Sequence, residues 1–174
     1  MADIIILAGA PGTGKSSTAK AIHERIKNPY FEFGWIPEFR LKGEAEITFA
    51  EEWHISFENL CLVARNYHKH GFMNVLLTDL YAGHAIRAPD EFLDLDCSLF
   101  TLYVTDEAIH RARLFDDSRT SDFRDWDRAK KDNQVNQERP IRAKETKIDN
   151  THHGIDTVVD LILEASSKPA SPGA

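Results

Sequence analysis

Eight consecutive residues, Gly9-Ala10-Pro11-Gly12-Thr13-Gly14-Lys15-Ser16, fit the spacing G-x-x-x-x-G-K-[ST]. Glycines at these positions let the backbone curl until successive N–H groups face one point. A helix starting there adds its own unpaired N–H groups and its positive dipole end. Such a cradle suits a polyphosphate. Lys15 supplies a point charge for the β- and γ-phosphates, the Ser16 hydroxyl is a ligand for Mg²⁺, and Ser17 follows in the same first turn. These residues predict a nucleoside triphosphate and Mg²⁺ as cofactors.

A second chemical feature is Val75-Leu76-Leu77-Thr78-Asp79, an apolar strand ending in a carboxylate, with Leu80-Tyr81 after it. A carboxylate there can hold Mg²⁺ or take a proton from an acceptor hydroxyl; the plain alternative is an Asp that caps a turn. Pro37-Glu38-Phe39-Arg40 closes an earlier apolar run, and Glu38 and Arg40 face the same way if the chain stays extended. They read either as a grip on a hydroxyl and a neighbouring polar group or as a surface ion pair. Residues 111–147 hold 11 of the 21 Lys and Arg against eight acidic residues. Alone this is a solvated helical face; beside a phosphate site it is a cationic flap. Trp53, Phe57 and Tyr81 can line an acceptor pocket or belong to the core, and the His68/His70 and His152/His153 spacings do not suggest a zinc site.

The elements that must position these residues alternate. Ile4–Ala8 is a short, fully apolar run, as in a central parallel strand buried on both faces. Ala19, Ile22 and Ile26 then fall at helical spacing, ending at Asn28-Pro29. Phe31–Ile36 predicts a strand stopped by Pro37, and Phe57, Leu60, Cys61, Ala64 and Tyr67 a helix running to Gly71. Val75–Thr78 and Leu99–Val104 are two further strands of buried type. Thr105 is a candidate cap for a helix over 106–115, with Asp106 and Glu107 in its first turn. A short strand near Lys147–Ile148 precedes a last helix with Ile155, Val158, Val159 and Ile162 on one face. Five strands with intervening helices predict an α/β three-layer sandwich around a parallel sheet.

With the phosphate loop in that setting, the chain resembles the small P-loop kinases of the nucleoside-monophosphate-kinase-like type. Shikimate kinase, gluconate kinase, adenylate kinase and chloramphenicol phosphotransferase share that layout. The resemblance covers about residues 3–165, and only the phosphate loop is specific at residue level. It implies a P-loop NTPase fold with a five-stranded parallel sheet in order 2-3-1-4-5 and an acceptor over the ends of strands 2 and 3. It also implies that the triphosphate is ATP, and an Arg-bearing lid. That lid falls at about 116–128 within a single domain, 1–165, followed by a flexible tail, 166–174. On this resemblance Lys15, Asp79, Glu38, Arg119 and Arg124 are the expected catalytic residues. Gly9 to Ser17, Arg113 and Asn150 would bind nucleotide, the last because Ile148-Asp149-Asn150-Thr151 sits where relatives read the base; a simple turn is the alternative. Glu38, Arg40, Asp79 and Tyr81 would bind the acceptor, and Ser16 and Asp79 the metal. Glu38 and Arg40 look like the Glu-x-Arg environment of deoxynucleoside kinases.

The expected function is therefore an ATP-dependent phosphotransferase acting on a hydroxyl of a metabolite, nucleoside or antibiotic-like compound. A nucleoside monophosphate kinase is the second reading. It is disfavoured because residues 30–70 offer only Arg40 and Arg65 to a phosphate acceptor. A non-catalytic nucleotide-binding regulatory protein is the third. Composition narrows the classes further. Among 174 residues, 42% hydrophobic and 28% charged exclude a disordered chain, a collagen and a coiled coil. A formal charge of −7 does not suit a general nucleic-acid binder, whose affinity rests on basic residues. The opening run Ile4–Ala8 falls short of the ~20 residues of a membrane span and lacks a leader's basic flank. The well-separated Cys61 and Cys97 fit free thiols, so a cytoplasmic protein with a small-molecule partner is expected, as monomer or dimer.

Overall fold

The computed structural model describes residues 1–36, 48–80, 82–119 and 121–167. Five strands form one parallel sheet: β1 (Ile4–Gly9), β2 (Tyr30–Glu32), β3 (Val75–Thr78), β4 (Cys97–Tyr103) and β5 (Glu145–Asp149), in the order β2-β3-β1-β4-β5. Among the described residues six α-helices connect them: α1 (Lys15–Ile26), α2 (Phe49–Lys69), α3 (Ala82–Arg87), α4 (Glu107–Leu114), α5 (Trp126–Glu138) and α6 (Ile155–Ser166). This is the predicted sheet order and layer plan.

Alternation along β1 explains the three layers. Ile4, Ile6 and Ala8 pack with Phe57, Leu60 and Ala64 of α2 and with Ala85 of α3. Ile5 and Leu7 face the other way, onto Ala19 and Ile22 of α1 and Val158, Val159 and Ile162 of α6. Each fully buried Ile or Leu contributes roughly 1.5–3 kcal/mol, so the central strand is held firmly from both faces. Both cysteines are free thiols in this interior.

Three sequence expectations shift. The strand expected over Phe31–Ile36 is the shorter Tyr30–Glu32, followed by a 3₁₀ turn at Phe33–Trp35. At the sheet edge β2 has only β3 to pair with, and its last partner is Thr78, the final residue of that strand. Asp79, at φ 61°, leaves the extended conformation directly after Thr78, so the ladder ends at Glu32 and the chain turns. The helix capped at its start by Thr105 is instead capped by Asp106, whose carboxylate accepts the Ile109 N–H at 3.0 Å. Thr105 reaches across to Asp149 and Thr151. Finally, α2 starts eight residues before Phe57, at a capping box in which Thr48 and Glu51 satisfy each other's backbone N–H groups.

A buried ionic cluster fixes α5 to the sheet. Glu145 of β5 is 8% exposed. It accepts from Arg139 at the end of α5, from Thr101 of β4 and from the Arg142 N–H. Burial alone would raise the Glu145 carboxyl; the hydrogen bonds from Arg139, Thr101 and Arg142 outweigh it and hold the group at about 2, against an ordinary 4.5. A depressed carboxyl stabilises the fold above its ordinary value and loses that contribution as pH falls through the folded value. Urea denaturation should therefore show stability falling between about pH 4.5 and 2, with a shallower fall in Glu145→Gln. Removing only the partner, in Arg139→Met, should cost about 3–5 kcal/mol at neutral pH.

Candidate active site

The turn from β1 into α1 is built from backbone constraints. Gly9 has φ 148°, and a Cβ there would lie 2.5 Å from Thr13 Oγ1 and 2.6 Å from the Leu102 carbonyl. Gly12 and Gly14 sit at φ 84° and 92°, in the left-handed region that favours glycine. The Ala10 carbonyl collects three donors: the Thr13 N–H at 3.3 Å, the Thr13 hydroxyl at 2.9 Å and the Lys15 ammonium at 3.1 Å. No acidic residue stands in the first turn of α1, so its positive end is unopposed.

Distant parts of the chain brace this loop. His110 of α4 is 1% exposed and donates from Nε2 to the Pro11 carbonyl at 2.8 Å. Burial pushes its pKa down, and the carbonyl partner requires the proton on Nε2. Trp126, the first residue of α5, packs on the same ring at 5.3 Å. From the far side Asn150 donates to the Thr13 carbonyl at 2.8 Å, and Arg113 donates to the carbonyls of Asn150 and Thr151 at 2.7 and 3.0 Å. Asn150 and Arg113, both expected to touch nucleotide, do line the cleft. Here they also hold the loop to the β5–α6 turn.

One cleft of about 760 Å³ runs over the ends of the strands, lined by Gly9, Ala10, Pro11, Gly12 and Gly14 to Ser17 together with Asp79, Arg113, Arg119 and Asn150. Thr13 is fully buried beneath it. Asp79 has φ 61°, a conformation that costs a non-glycine residue about 1–2 kcal/mol. Its Oδ2 lies 3.7 Å from where a Cβ on Gly34 would stand. The Thr78 hydroxyl, bound to the Leu7 carbonyl at 3.2 Å, anchors the strand just before it. Burial raises the Asp79 pKa; Lys15 opposes the shift and Glu32, at the end of β2, adds to it. Burial likewise lowers the Lys15 pKa, against the pull of Asp79. Each charge is desolvated and each is the other's partial remedy.

The expected lid arginines separate. Arg119 lines the cleft while donating to the Leu114 and Phe123 carbonyls at 2.6 and 3.2 Å. Burial and the nearby Arg124 lower its pKa. Arg124 is absent from the cleft wall among the described residues and is bonded to the Ser121 and Phe123 carbonyls. Glu38, Arg40 and Tyr81 lie outside the described residues. Arg128, counted from the sequence only as part of the cationic stretch, lines the cleft with Asp132 and Asn136 of α5, which sequence reasoning overlooked. Their i, i+4, i+8 spacing was the available signal. It overlooked Phe33 and Ser56 as well, and the brace at His110, for which no pattern in the sequence speaks.

No family profile and no curated protein matches the sequence. Solved structures do. The tunicamycin resistance protein of Deinococcus radiodurans superposes with a TM-score of 0.65 at 19% identity, over 99% of this chain and 100% of that one. A gluconokinase from Sinorhizobium meliloti 1021 gives 0.64 at 16% identity, over 94% of this chain and 90% of that one. The YorR protein of Bacillus subtilis, in complex with phosphorylated GDP, gives 0.55 at 14%, over 92% and 94%. The chain has the fold of the small P-loop kinases.

The packing around Gly9 yields a direct expectation. Gly9→Ala should lower unfolding stability by about 2 kcal/mol or more, because one obstructing atom is a backbone carbonyl of the neighbouring strand β4 and the other is the buried Thr13 hydroxyl, itself bonded to Ala10. Urea denaturation indistinguishable from the parent protein would show that the loop has room to shift.

Proposed function

We propose that this protein is a kinase that transfers the γ-phosphoryl group of ATP to a hydroxyl of a small molecule. One observation carries the reading: the glycine loop, Lys15 and the open end of α1 share a single cleft with the half-buried carboxylate of Asp79 and with Arg119. Donor phosphates and an acceptor hydroxyl can thus meet in one water-poor space.

The loop amides and Lys15 hold the β- and γ-phosphates, exchanging the Ala10 carbonyl for phosphate oxygens at the Lys15 ammonium. Asp79 accepts the acceptor's proton as the new oxygen–phosphorus bond forms. The bond from γ-phosphorus to the bridging oxygen breaks with its electron pair going to ADP. Arg119, on the stretch 116–128 acting as a lid, neutralises charge on the transferring oxygens; planar guanidinium groups suit such forked contacts. The hydroxyl of Ser16 and the carboxylate of Asp79 are hard oxygen donors lining the same cleft, a set that fits Mg²⁺. When bound, Mg²⁺ would supply further neutralisation of phosphate charge.

Two variants test these roles. Lys15→Ala should weaken Mg²⁺-ATP binding by roughly tenfold or more in calorimetry. Unchanged affinity would refute the loop's role. Asp79→Asn should keep ATP binding and lower acceptor-stimulated ADP release by about 10²–10⁴-fold. Because burial raises the Asp79 pKa above its ordinary 3.8, the carboxylate is lost at higher pH than in a free Asp. The acid limb of kcat/KM should lie above that value and vanish in Asp79→Asn. Full turnover in that variant would remove Asp79 from the mechanism.

A further inference from the structure

Within the phosphate loop, Ala10-Pro11-Gly12-Thr13 closes on itself: the Thr13 N–H donates to the Ala10 carbonyl at 3.3 Å. Proline fixes φ at about −65° in the second place, and glycine in the third has φ 84°. These values mark a type II turn, whose third residue needs φ of about +80°. A type I turn closes four residues with the same hydrogen bond. The two differ in the peptide between the second and third residues, rotated by roughly half a turn. Pro11 suits either type, and Gly12 takes either sign of φ about as readily. The four residues alone therefore leave the choice open.

That choice decides what the cleft meets. The peptide in question carries the Pro11 carbonyl on one edge and the Gly12 N–H on the other, and in a planar trans peptide the two point in opposite directions. Gly12 lines the cleft. The type II turn keeps the carbonyl inside, while a flipped peptide would aim a carbonyl oxygen at an incoming phosphate in place of a donor.

The residue that decides lies outside the loop. His110 is 1% exposed, and its Nε2 donates to the Pro11 carbonyl at 2.8 Å. A Cβ on Gly12 would stand 3.2 Å from Cδ2 and 3.3 Å from Nε2 of the same ring, so the imidazole lies directly against the peptide that could flip. Trp126 backs the ring at 5.3 Å. Burial lowers the His110 pKa, and Arg113, Lys15 and Arg119 lower it further, so the ring donates as a neutral group. Flipping the peptide would strand a buried N–H with no acceptor, which is costly. Asn150 treats the peptide before Gly14 in the same way, through the Thr13 carbonyl at 2.8 Å.

Resting on the reading of this loop as a phosphate cradle, we infer that His110 is a positioning residue: by holding the Pro11 carbonyl inside, it turns the Gly12 N–H to the cleft and selects the turn that binds the donor's phosphates. It touches no substrate. Without its N–H the two turns share the population, and apparent affinity falls with the fraction left competent.

Calorimetry on the full chain with Mg²⁺ tests this, using a non-hydrolysable ATP analogue and inorganic tripolyphosphate in parallel. His110→Phe keeps a ring beside Trp126 and removes the donor; it should raise the Kd of both ligands about three- to tenfold, the worth of one hydrogen bond. His110→Gln offers a side-chain amide N–H instead and should restore most of that loss. In the ligand-free protein, the NOE between Pro11 Hα and the Gly12 N–H is strong in a type II turn and weak in type I. It should be strong in the parent and in His110→Gln, and weakened in His110→Phe. If His110→Phe does not fold, His110→Asn, whose donor has a shorter reach, is compared with His110→Gln in its place. A parent protein that binds neither ligand would overturn the cradle reading and this inference together. A parent that binds both, with affinity or NOE unmoved in the donor-less variant or affinity not restored by Gln, would overturn this inference alone.

Discussion

The backbone of residues 9–16 cannot take another path, and the rest of the site depends on that. At Gly9 a single methyl group would collide with Thr13 and with the carbonyl of Leu102 on the neighbouring strand. The loop therefore passes closer to β4 than any chain with a side chain could. In that position the loop is within hydrogen-bond reach of His110 at Pro11 and of Asn150 at Thr13. Residues about a hundred or more positions away in sequence, on α4 and on the β5–α6 turn, thus hold the five-residue turn between β1 and α1. The parallel sheet makes this possible by delivering the ends of β1, β4 and β5 to the same edge. Rigidity of this kind matters because oriented N–H groups act on phosphate without having to reorganise at the moment of reaction.

Electrostatics divide the cleft. Lys15 and Asp79 are both desolvated, and burial pushes each toward its neutral form while the other's charge pulls back. The Lys15 ammonium rests on the Ala10 carbonyl. On the other side the carboxylates of Asp79 and Glu32 sit at adjacent strand ends beside aromatic rings. Arg119 stands in the cleft wall, its charge felt by both Lys15 and Asp79.

How legible all this was in the sequence varied with the range of the forces involved. The apolar runs at Ile4–Ala8 and Val75–Thr78 announced buried strands because both their faces are covered, and the glycine spacing announced the loop because its geometry is local. The edge strand was misjudged because its length is set by its partner: Phe33 has the composition of a strand residue, but β3 stops at Thr78. Thr105 and Asp106 are equally good caps by type. Only the contact of Thr105 with Asp149 and Thr151 decides between them. Arg119 and Arg124 are alike in sequence, and their separation, one at the cleft and one on loop carbonyls, arises from how the turn folds back on itself. Ser56 and Phe33 became visible only once the 3₁₀ turn had brought the end of β2 opposite α2.

The central claim is that the amides from Gly12 to Ser16 wrap a polyphosphate, displacing the Lys15 ammonium from its resting carbonyl. Backbone amide shifts of the ¹⁵N-labelled protein, titrated with a non-hydrolysable ATP analogue and Mg²⁺, address it most directly. The account predicts that the largest changes cluster at Gly12, Thr13, Gly14, Lys15 and Ser16. Saturable binding that leaves these five amides unmoved, with the changes elsewhere, would contradict it.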